Sequence, residues 1–199
     1  MPKVTGVFDR FENLEKIPAE NIAKWLSMHP DSAAIENYIA NRVIYSQTVP
    51  VTLNDQNIDF AILREALRAA PIYFKQNQKK IFIPADFLQI TPDIKKLVNI
   101  VIDAFEPKGL ITFVLTARTK DEILGSLVTV NCKKEDMLYF ELEGKNFKIK
   151  PGNLTILPCP KDHCHVNFKS QGSTIFGKTE LVFEIPGGKI GLIVDGRLS

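Results

Sequence analysis

The hydrophobic pattern of residues 92–105 is the clearest structural signal in the chain. Thr91-Pro92 offers a capping hydroxyl followed by a proline at the first helical position, and Glu106-Pro-Lys-Gly109 ends the helix. We expect Val101 and Phe105 to lie on its buried face. The apolar positions recur at i, i+3, i+4, i+7, i+8 and i+11, the spacing of one helix face: Ile94, Leu97, Val98, Val101, Ile102 and Phe105.

Two short apolar runs flank this helix and predict a parallel crossover unit. Ile81–Pro84 and Leu110–Leu115 are interpreted as buried strands, so strand, helix and strand follow one another. The loops after such strands commonly carry the chemistry of a fold. The loop that follows the first strand, Ile83-Pro-Ala-Asp-Phe-Leu88, has no glycine that would let a phosphate approach the backbone.

Helical periods also predict three helices in the first 70 residues. Pro18 opens the first, Asp31 caps the second, and Asn54 caps a longer third helix that ends at Ala70. Two apolar stripes on the third helix predict burial over much of its circumference. The expected inner positions of the first two helices are Ile22, Trp25, Leu26 and His29, then Ile35, Tyr38, Ile39 and Val43.

Three further segments receive local predictions. Val4–Phe8 is predicted to be a short strand or an extended arm, and Gln47–Leu53 is predicted to be extended. A capping box at Thr119-Lys-Asp-Glu122 predicts a short helix that packs Ile123, Leu124 and Leu127.

Short strand candidates replace the helical period from residue 128 onwards. We therefore predict an α/β domain over residues 1–127 and an all-β domain over residues 128–199, a small β-sandwich or barrel. Pro186-Gly-Gly-Lys189 is interpreted as the turn of a hairpin. The predicted strands are Val128–Cys132, Leu138–Leu142, Phe147–Lys150, Leu154–Leu157, His165–Phe168, Leu181–Ile185 and Ile190–Val194.

Composition narrows the class of protein. The chain of 199 residues is 45% hydrophobic and 24% charged, which is typical of a soluble globular protein. A net charge of +2 does not indicate nucleic acid, and no run approaches the ~20 apolar residues of a membrane span. Three cysteines, an odd number, without a signal-peptide pattern predict no disulfide framework and a reducing, cytoplasmic setting.

The segment Cys159-Pro-Lys-Asp-His-Cys-His165 is the best metal candidate. Its four potential zinc ligands are Cys159, His163, Cys164 and His165, with Cys132 as a distant fifth. Their spacing does not match the usual structural zinc sites, so the favoured interpretation is a polar hairpin loop without metal. A nucleophilic pair of Cys164 with a neighbouring histidine is disfavoured, because adjacent residues on a strand point to opposite faces.

The segment Gly172-Ser-Thr-Ile-Phe-Gly-Lys-Thr179 matches the P-loop pattern letter for letter. A P-loop follows a buried strand and opens a helix, whose first amides face the phosphates. Here a strand and a hairpin are predicted to follow, so nucleotide binding is the alternative and not the main interpretation. No catalytic residue is assigned, because Asp86, Asp103, Asp121 and Asp195 form no pair spaced for acid–base chemistry, and His29 is expected to pack on a helix.

Several segments resemble the C-terminal half of the MutL-type glutamate mutase accessory proteins, which are unrelated to mismatch repair. The closing Gly187-Gly-Lys-Ile-Gly-Leu-Ile-Val-Asp-Gly-Arg197 is the most specific, since the family tends to finish on a similar turn, with glycine where Leu198 stands. The other similar stretches are Glu36–Arg42, Gln47–Thr52, Ala61–Ala70, Val101–Leu110 and Lys150–Pro160.

The resemblance implies a partial ribonuclease H-like (actin-like) ATPase fold and a role in reactivating or assembling a cobalamin-dependent mutase. The half that would carry the first phosphate loop has no counterpart in this sequence. We therefore expect a non-catalytic protein-interaction module without a cofactor, whose partner is a protein such as the other ATPase half or a mutase subunit. The alternatives are an ATPase that uses the Gly172–Thr179 loop and a small zinc-stabilised binding domain.

Overall fold

The computed structural model describes residues 8, 11, 14–28, 30–69, 79–117, 120–159 and 161–197. These residues form a mixed α/β structure that divides into two compact units. One unit combines the chain up to residue 73 with 86–106, and the other combines 74–85 with 107–199. The sequence-based boundary at residue 127 falls inside a strand, Glu122–Thr129. Residues 4–7 of the predicted strand at Val4–Phe8 lie outside the described residues, as does His29 with its predicted helical position.

The first unit is helical. The third helix is buried along two stripes, as the sequence predicts, with Ile58, Ile62, Leu63 and Leu67 in its core. No described helix is both long enough and apolar enough to cross a membrane. The α-helices of the described residues are α1 (Ala19–Ala23), α2 (Ser32–Ile44), α3 (Leu53–Ala69) and α4 (Ile94–Phe105), with 3-10 turns at Leu14–Lys16 and Ala85–Gln89.

Helix α4 forms where its period predicts it, but two local details differ. Val101 is fully buried, whereas Phe105 is only half-buried. The cap is Asp93 and not Thr91: its Oδ1 accepts from the backbone N–H of Lys95 at 2.9 Å. A carboxylate that can bond two orphan amides is as good a cap as a hydroxyl, so Asp93 places the helix start two residues later than expected.

The second unit contains two open sheets. The first has five strands in the order β1-β2-β3-β9-β6, and the second has four antiparallel strands in the order β5-β4-β7-β8. Strands β1 and β2 are parallel, as the crossover interpretation requires. The strands are β1 (Lys80–Pro84), β2 (Leu110–Thr116), β3 (Glu122–Thr129), β4 (Leu138–Leu142), β5 (Lys145–Ile149), β6 (Leu154–Leu157), β7 (His163–Lys169), β8 (Glu180–Pro186) and β9 (Gly191–Asp195).

One hydrophobic core joins the two sheets. The rings of Phe140 and Phe168 lie at its centre, 5.1 Å apart, with Leu192 and Val194 contributed by the other sheet. Because β6 and β9 pair into the sheet that also holds β1–β3, the strands after residue 128 are not a separate sheet system. Neither sheet closes on itself, so the barrel form predicted for these strands is not present among the described residues.

Two secondary-structure predictions in this unit are wrong. The segment after the 119–122 capping box is strand β3 and not a helix, because the continuous buried run from Leu124 to Val128 suits the centre of a sheet. The Pro186-Gly-Gly-Lys189 segment is not a hairpin turn, because β8 and β9 belong to different sheets. At Gly187 the segment instead passes very close to the backbone of Lys161: a Cβ at Gly187 would lie 1.6 Å from the carbonyl oxygen of Lys161.

Candidate interaction surface

The most distinctive surface of the first unit is apolar. Ile44, Val51 and Leu53 are 68%, 93% and 77% exposed, and they stand within eleven residues of one another in the chain. We call this segment, residues 43–53, the 43–53 surface. Its exposed large apolar side chains are Val43, Ile44, Tyr45, Val49, Val51 and Leu53.

The 43–53 surface arises from the way α2 ends. Its buried face is Ile35, Ile39 and Arg42, so Val43 and Ile44 fall on the outer face. The prediction that Val43 lies on the inner face is therefore wrong, because the Arg42 side chain occupies that position. Tyr45 ends the helix, and its backbone N–H still donates to the carbonyl of Asn41 at 2.8 Å.

A buried ion pair holds the loop that carries this surface. The Arg42 guanidinium is bidentate to Asp59 on α3, with Nε donating to Oδ1 at 2.8 Å and Nη2 donating to Oδ2. Its Nη1 donates to the carbonyl oxygen and to the hydroxyl of Thr48. Arg42 is thus the link between the α3 core and the 45–52 loop.

Tyr38 completes this polar cluster. Its hydroxyl donates to Asp59 Oδ1 at 3.1 Å. Burial, followed by the charge of the Asp59 carboxylate, raises the pKa of Tyr38 above its ordinary value, so the phenol stays protonated and acts as a donor. The cluster is a satisfied structural network and offers no base for catalysis.

The far end of the loop is fixed by a reciprocal cap. The Asp55 backbone N–H donates to the Thr52 hydroxyl at 3.1 Å, and the Thr52 N–H donates to the Asp55 carboxylate at 3.0 Å. This is a capping box, and it makes Thr52 the cap of α3 in place of the predicted Asn54. Because both ends of the loop are anchored, its apolar side chains are presented on a fixed backbone.

The exposed apolar side chains of the 43–53 surface lie close together in the chain. Single apolar residues on a surface need no explanation, whereas large contiguous apolar patches often mark interaction sites. Residues 43–53 include no carboxylate, imidazole or thiol side chain.

The structure gives the four candidate zinc ligands different roles. Cys159 and Cys164 form a disulfide, with Cα atoms 6.1 Å apart, although the cysteine count predicted no disulfide framework and a reducing setting. Their neighbours His163 and His165 are exposed on the opposite face of β7, as the alternation of a strand predicts. Within the described part of the chain no group of three or more His, Cys, Asp or Glu side chains is arranged to hold a metal ion.

The remaining cysteine is chemically quiet. Cys132 is half-buried and not bonded to another cysteine. Burial, followed by the nearby charges of Asp195 and Asp136, raises the pKa of the Cys132 thiol to about 11. It is therefore almost entirely protonated at neutral pH and is a poor nucleophile.

The P-loop letter match does not have the geometry of a P-loop. Ile175 and Lys178 exchange two backbone hydrogen bonds of 3.0 Å around a tight turn at Phe176 and Gly177. The chain then enters strand β8, so no helix N-terminus follows Lys178. Without those helical amides the segment lacks the group that holds phosphate in a P-loop.

The acidic residues considered for catalysis are distributed between the two units. Asp86 and Asp103 belong to the first and Asp121 and Asp195 to the second. Asp103 accepts from Arg64 Nε at 3.0 Å, and Asp195 is bidentate to Arg197. The two carboxylates in these ion pairs therefore serve structure.

Comparison with known proteins adds no relative: no family model, curated protein or solved structure matches the chain.

The sequence pattern of residues 47–53 did not indicate an exposed surface, because it is similar to that of a strand. Val49, Val51 and Leu53 alternate with polar residues, which predicted an extended segment. Pro50 inside this alternation was the available signal, since a proline cannot donate to a sheet ladder. The structure places no strand over residues 48–51, so the alternating apolar side chains are left without a sheet to cover them.

Proposed function

We propose that this chain is a non-catalytic interaction module that binds another protein through the 43–53 surface. The observation that carries the proposal is the exposure of Ile44 at the end of α2, Leu53 at the start of α3 and Val51 on the loop between them, whose two ends are anchored. Burying such side chains against a partner is favourable by roughly 1.5–3 kcal/mol each. The rigid backbone lowers the entropy lost on binding.

The resemblance to the MutL-type accessory proteins suggests the partner. It points to an actin-like ATPase half or to a subunit of a cobalamin-dependent mutase, and to a partial actin-like fold for this chain. The parallel pair β1 and β2 is compatible with that fold. The cytoplasmic location expected from the odd cysteine count belongs to the same proposal, although the Cys159–Cys164 disulfide is unusual for a reducing compartment.

Site-specific photo-crosslinking tests the proposal. A benzophenone amino acid replaces Val51 in one variant and Val182 in a control; Val182 is also exposed (69%) but lies on β8. In cells of the source organism, we expect Val51 to crosslink to one defined protein and Val182 not to do so. Equal crosslinking from both positions, or none from Val51, would contradict the proposal.

The crosslinked protein is then purified and its affinity is measured by calorimetry. We expect Val51→Asp to weaken binding at least about tenfold, which corresponds to 1.4 kcal/mol, and Val182→Asp to leave it unchanged. A titration with Mg-ATP addresses the alternative of an ATPase. Micromolar ATP binding that is lost in Lys178→Ala would favour that alternative.

A further inference from the structure

A second feature, in the other unit, is a pocket of about 370 Å³. It opens between the start of β2, the residues that follow β3, and the turn at residues 175–178. Its volume is within the range of small-molecule sites in proteins. Residues of the segment that matches the P-loop pattern thus line a pocket, although the segment lacks the geometry of a P-loop.

The turn holds an aromatic ring at the mouth of this pocket. Phe176 is 62% exposed, and both Phe176 and Gly177 have left-handed backbone angles, with φ of 50° and 76°. Glycine adopts this region freely, but a bulky residue rarely does. Because most of the ring is exposed, burial does little to compensate for the unfavourable backbone conformation of Phe176. Residues with such unfavourable backbone angles cluster at ligand sites.

Gly109 makes room for that ring. Its φ is +94°, and a Cβ at this position would lie 3.3 Å from Cε1 of Phe176. The turn is also fastened to the chain after β3, because Asn131 and Thr174 exchange backbone hydrogen bonds of 2.8 and 2.9 Å. The ring is thus held over the backbone at the start of β2.

The charge of the pocket is positive. Lys108 is exposed and forms no ion pair with any described residue, and none of the described residues that line the pocket is Asp or Glu. Arg197 also lines it, although its guanidinium is directed to Asp195 at 2.9 Å.

Two polar side chains of the pocket have spare hydrogen-bonding capacity. Asn131 and Thr174 use their backbone groups on each other, while their amide and hydroxyl side chains make no hydrogen bond within the described residues. The pocket is therefore lined by a lysine, an asparagine, a threonine and an exposed phenylalanine.

We propose that this pocket binds a small organic anion that carries a flat aromatic ring. The ring stacks on Phe176, the anionic group lies beside Lys108, and the side chains of Asn131 and Thr174 bond its oxygen atoms. A carboxylate or a phosphate ester of an aromatic compound has this chemistry.

Amide NMR of the ¹⁵N-labelled full chain tests this assignment, with phenyl phosphate as the probe. We expect saturable shifts, at millimolar probe, of the backbone amides of Asn131, Thr174 and Gly177. Inorganic phosphate keeps only the anionic group of the probe, and benzyl alcohol keeps only an aromatic ring without a charge. Each should bind at least about tenfold more weakly than phenyl phosphate. The absence of a saturable shift at these amides would overturn the proposal.

Three variants separate the two halves of the site. Lys108→Gln should weaken phenyl phosphate at least about fivefold and remove most of the salt dependence of its affinity. Phe176→Asn keeps a residue that tolerates the left-handed turn, and it should weaken phenyl phosphate while leaving inorganic phosphate unchanged. Lys148→Gln, which removes an exposed lysine of β5, is the control. An equal loss in Lys148→Gln and Lys108→Gln would show that only net charge matters and would overturn the site.

Discussion

Removing the carboxylate of Asp59 should destabilise the first unit strongly. Asp59 is fully buried and Arg42 is 5% exposed, so the pair is shielded from water. In Asp59→Ala the guanidinium loses both acceptors at Nε and Nη2 and keeps only Thr48. Breaking a buried ion pair by deleting one partner costs about 3–5 kcal/mol, because an uncompensated charge stays in the interior.

The double substitution Arg42→Met/Asp59→Leu is the matched control. It removes both charges and fills the space with apolar groups of similar volume, and such replacements are often neutral or stabilising. We expect the double variant to be more stable than Asp59→Ala alone. This order of stabilities separates the cost of an orphan charge from the cost of a lost contact.

Urea unfolding followed by tryptophan fluorescence measures the effect. The chain has one tryptophan, Trp25, and it lies in the first unit, where its indole N–H donates to Glu65 at 2.7 Å. With a slope of about 2 kcal/mol per molar urea, a loss of about 4 kcal/mol lowers the midpoint by about 2 M. A loss below about 1 kcal/mol would refute the reasoning, since only a solvated pair is that weak.

Two further outcomes are expected in the second unit. Without reductant, alkylation of the unfolded chain should modify Cys132 alone, and after reduction it should modify all three cysteines. Because the disulfide closes a short loop, reducing Cys159–Cys164 should lower the free energy of unfolding by about 2 kcal/mol through loop entropy. Three modified cysteines without reductant would show that the disulfide is absent. In a thermal melt, Gly187→Ala should lower the stability of the protein by at least about 1–3 kcal/mol, because the added Cβ would collide with the Lys161 backbone. Gly196→Ala is the control and should lower stability less, because its Cβ would make ordinary contacts of 3.5 Å. Equal losses of stability in the two variants would contradict the close contact at Gly187.

The elements that the sequence predicted well are those defined by local periods. Helix α4 and the parallel strands on either side of it follow from the spacing of apolar residues alone. Strands β4 (Leu138–Leu142) and β6 (Leu154–Leu157) have the predicted bounds. A period of 3.6 or 2 residues is a property of neighbouring side chains, so it survives without knowledge of the partner element.

The errors at β3 and at Val43 share one physical cause, which is a partner distant in the sequence. Strand β3 pairs with β9, which begins more than 60 residues later, and that pairing overrides a local capping box. Arg42 replaces Val43 in the interior because Asp59 supplies its countercharge from another helix. Neither partner is visible in a local window.

Both candidate sites were decided by tertiary structure. The apolar residues of the 43–53 surface have the composition of a buried strand, and only the absence of a sheet around them leaves them exposed. The pocket brings Lys108 next to Phe176 although 68 positions of chain separate them. By itself the sequence determined most helical and extended segments and the positions of the apolar residues, but not strand β3. Which apolar segments are covered, and which charges meet, depends on long-range packing.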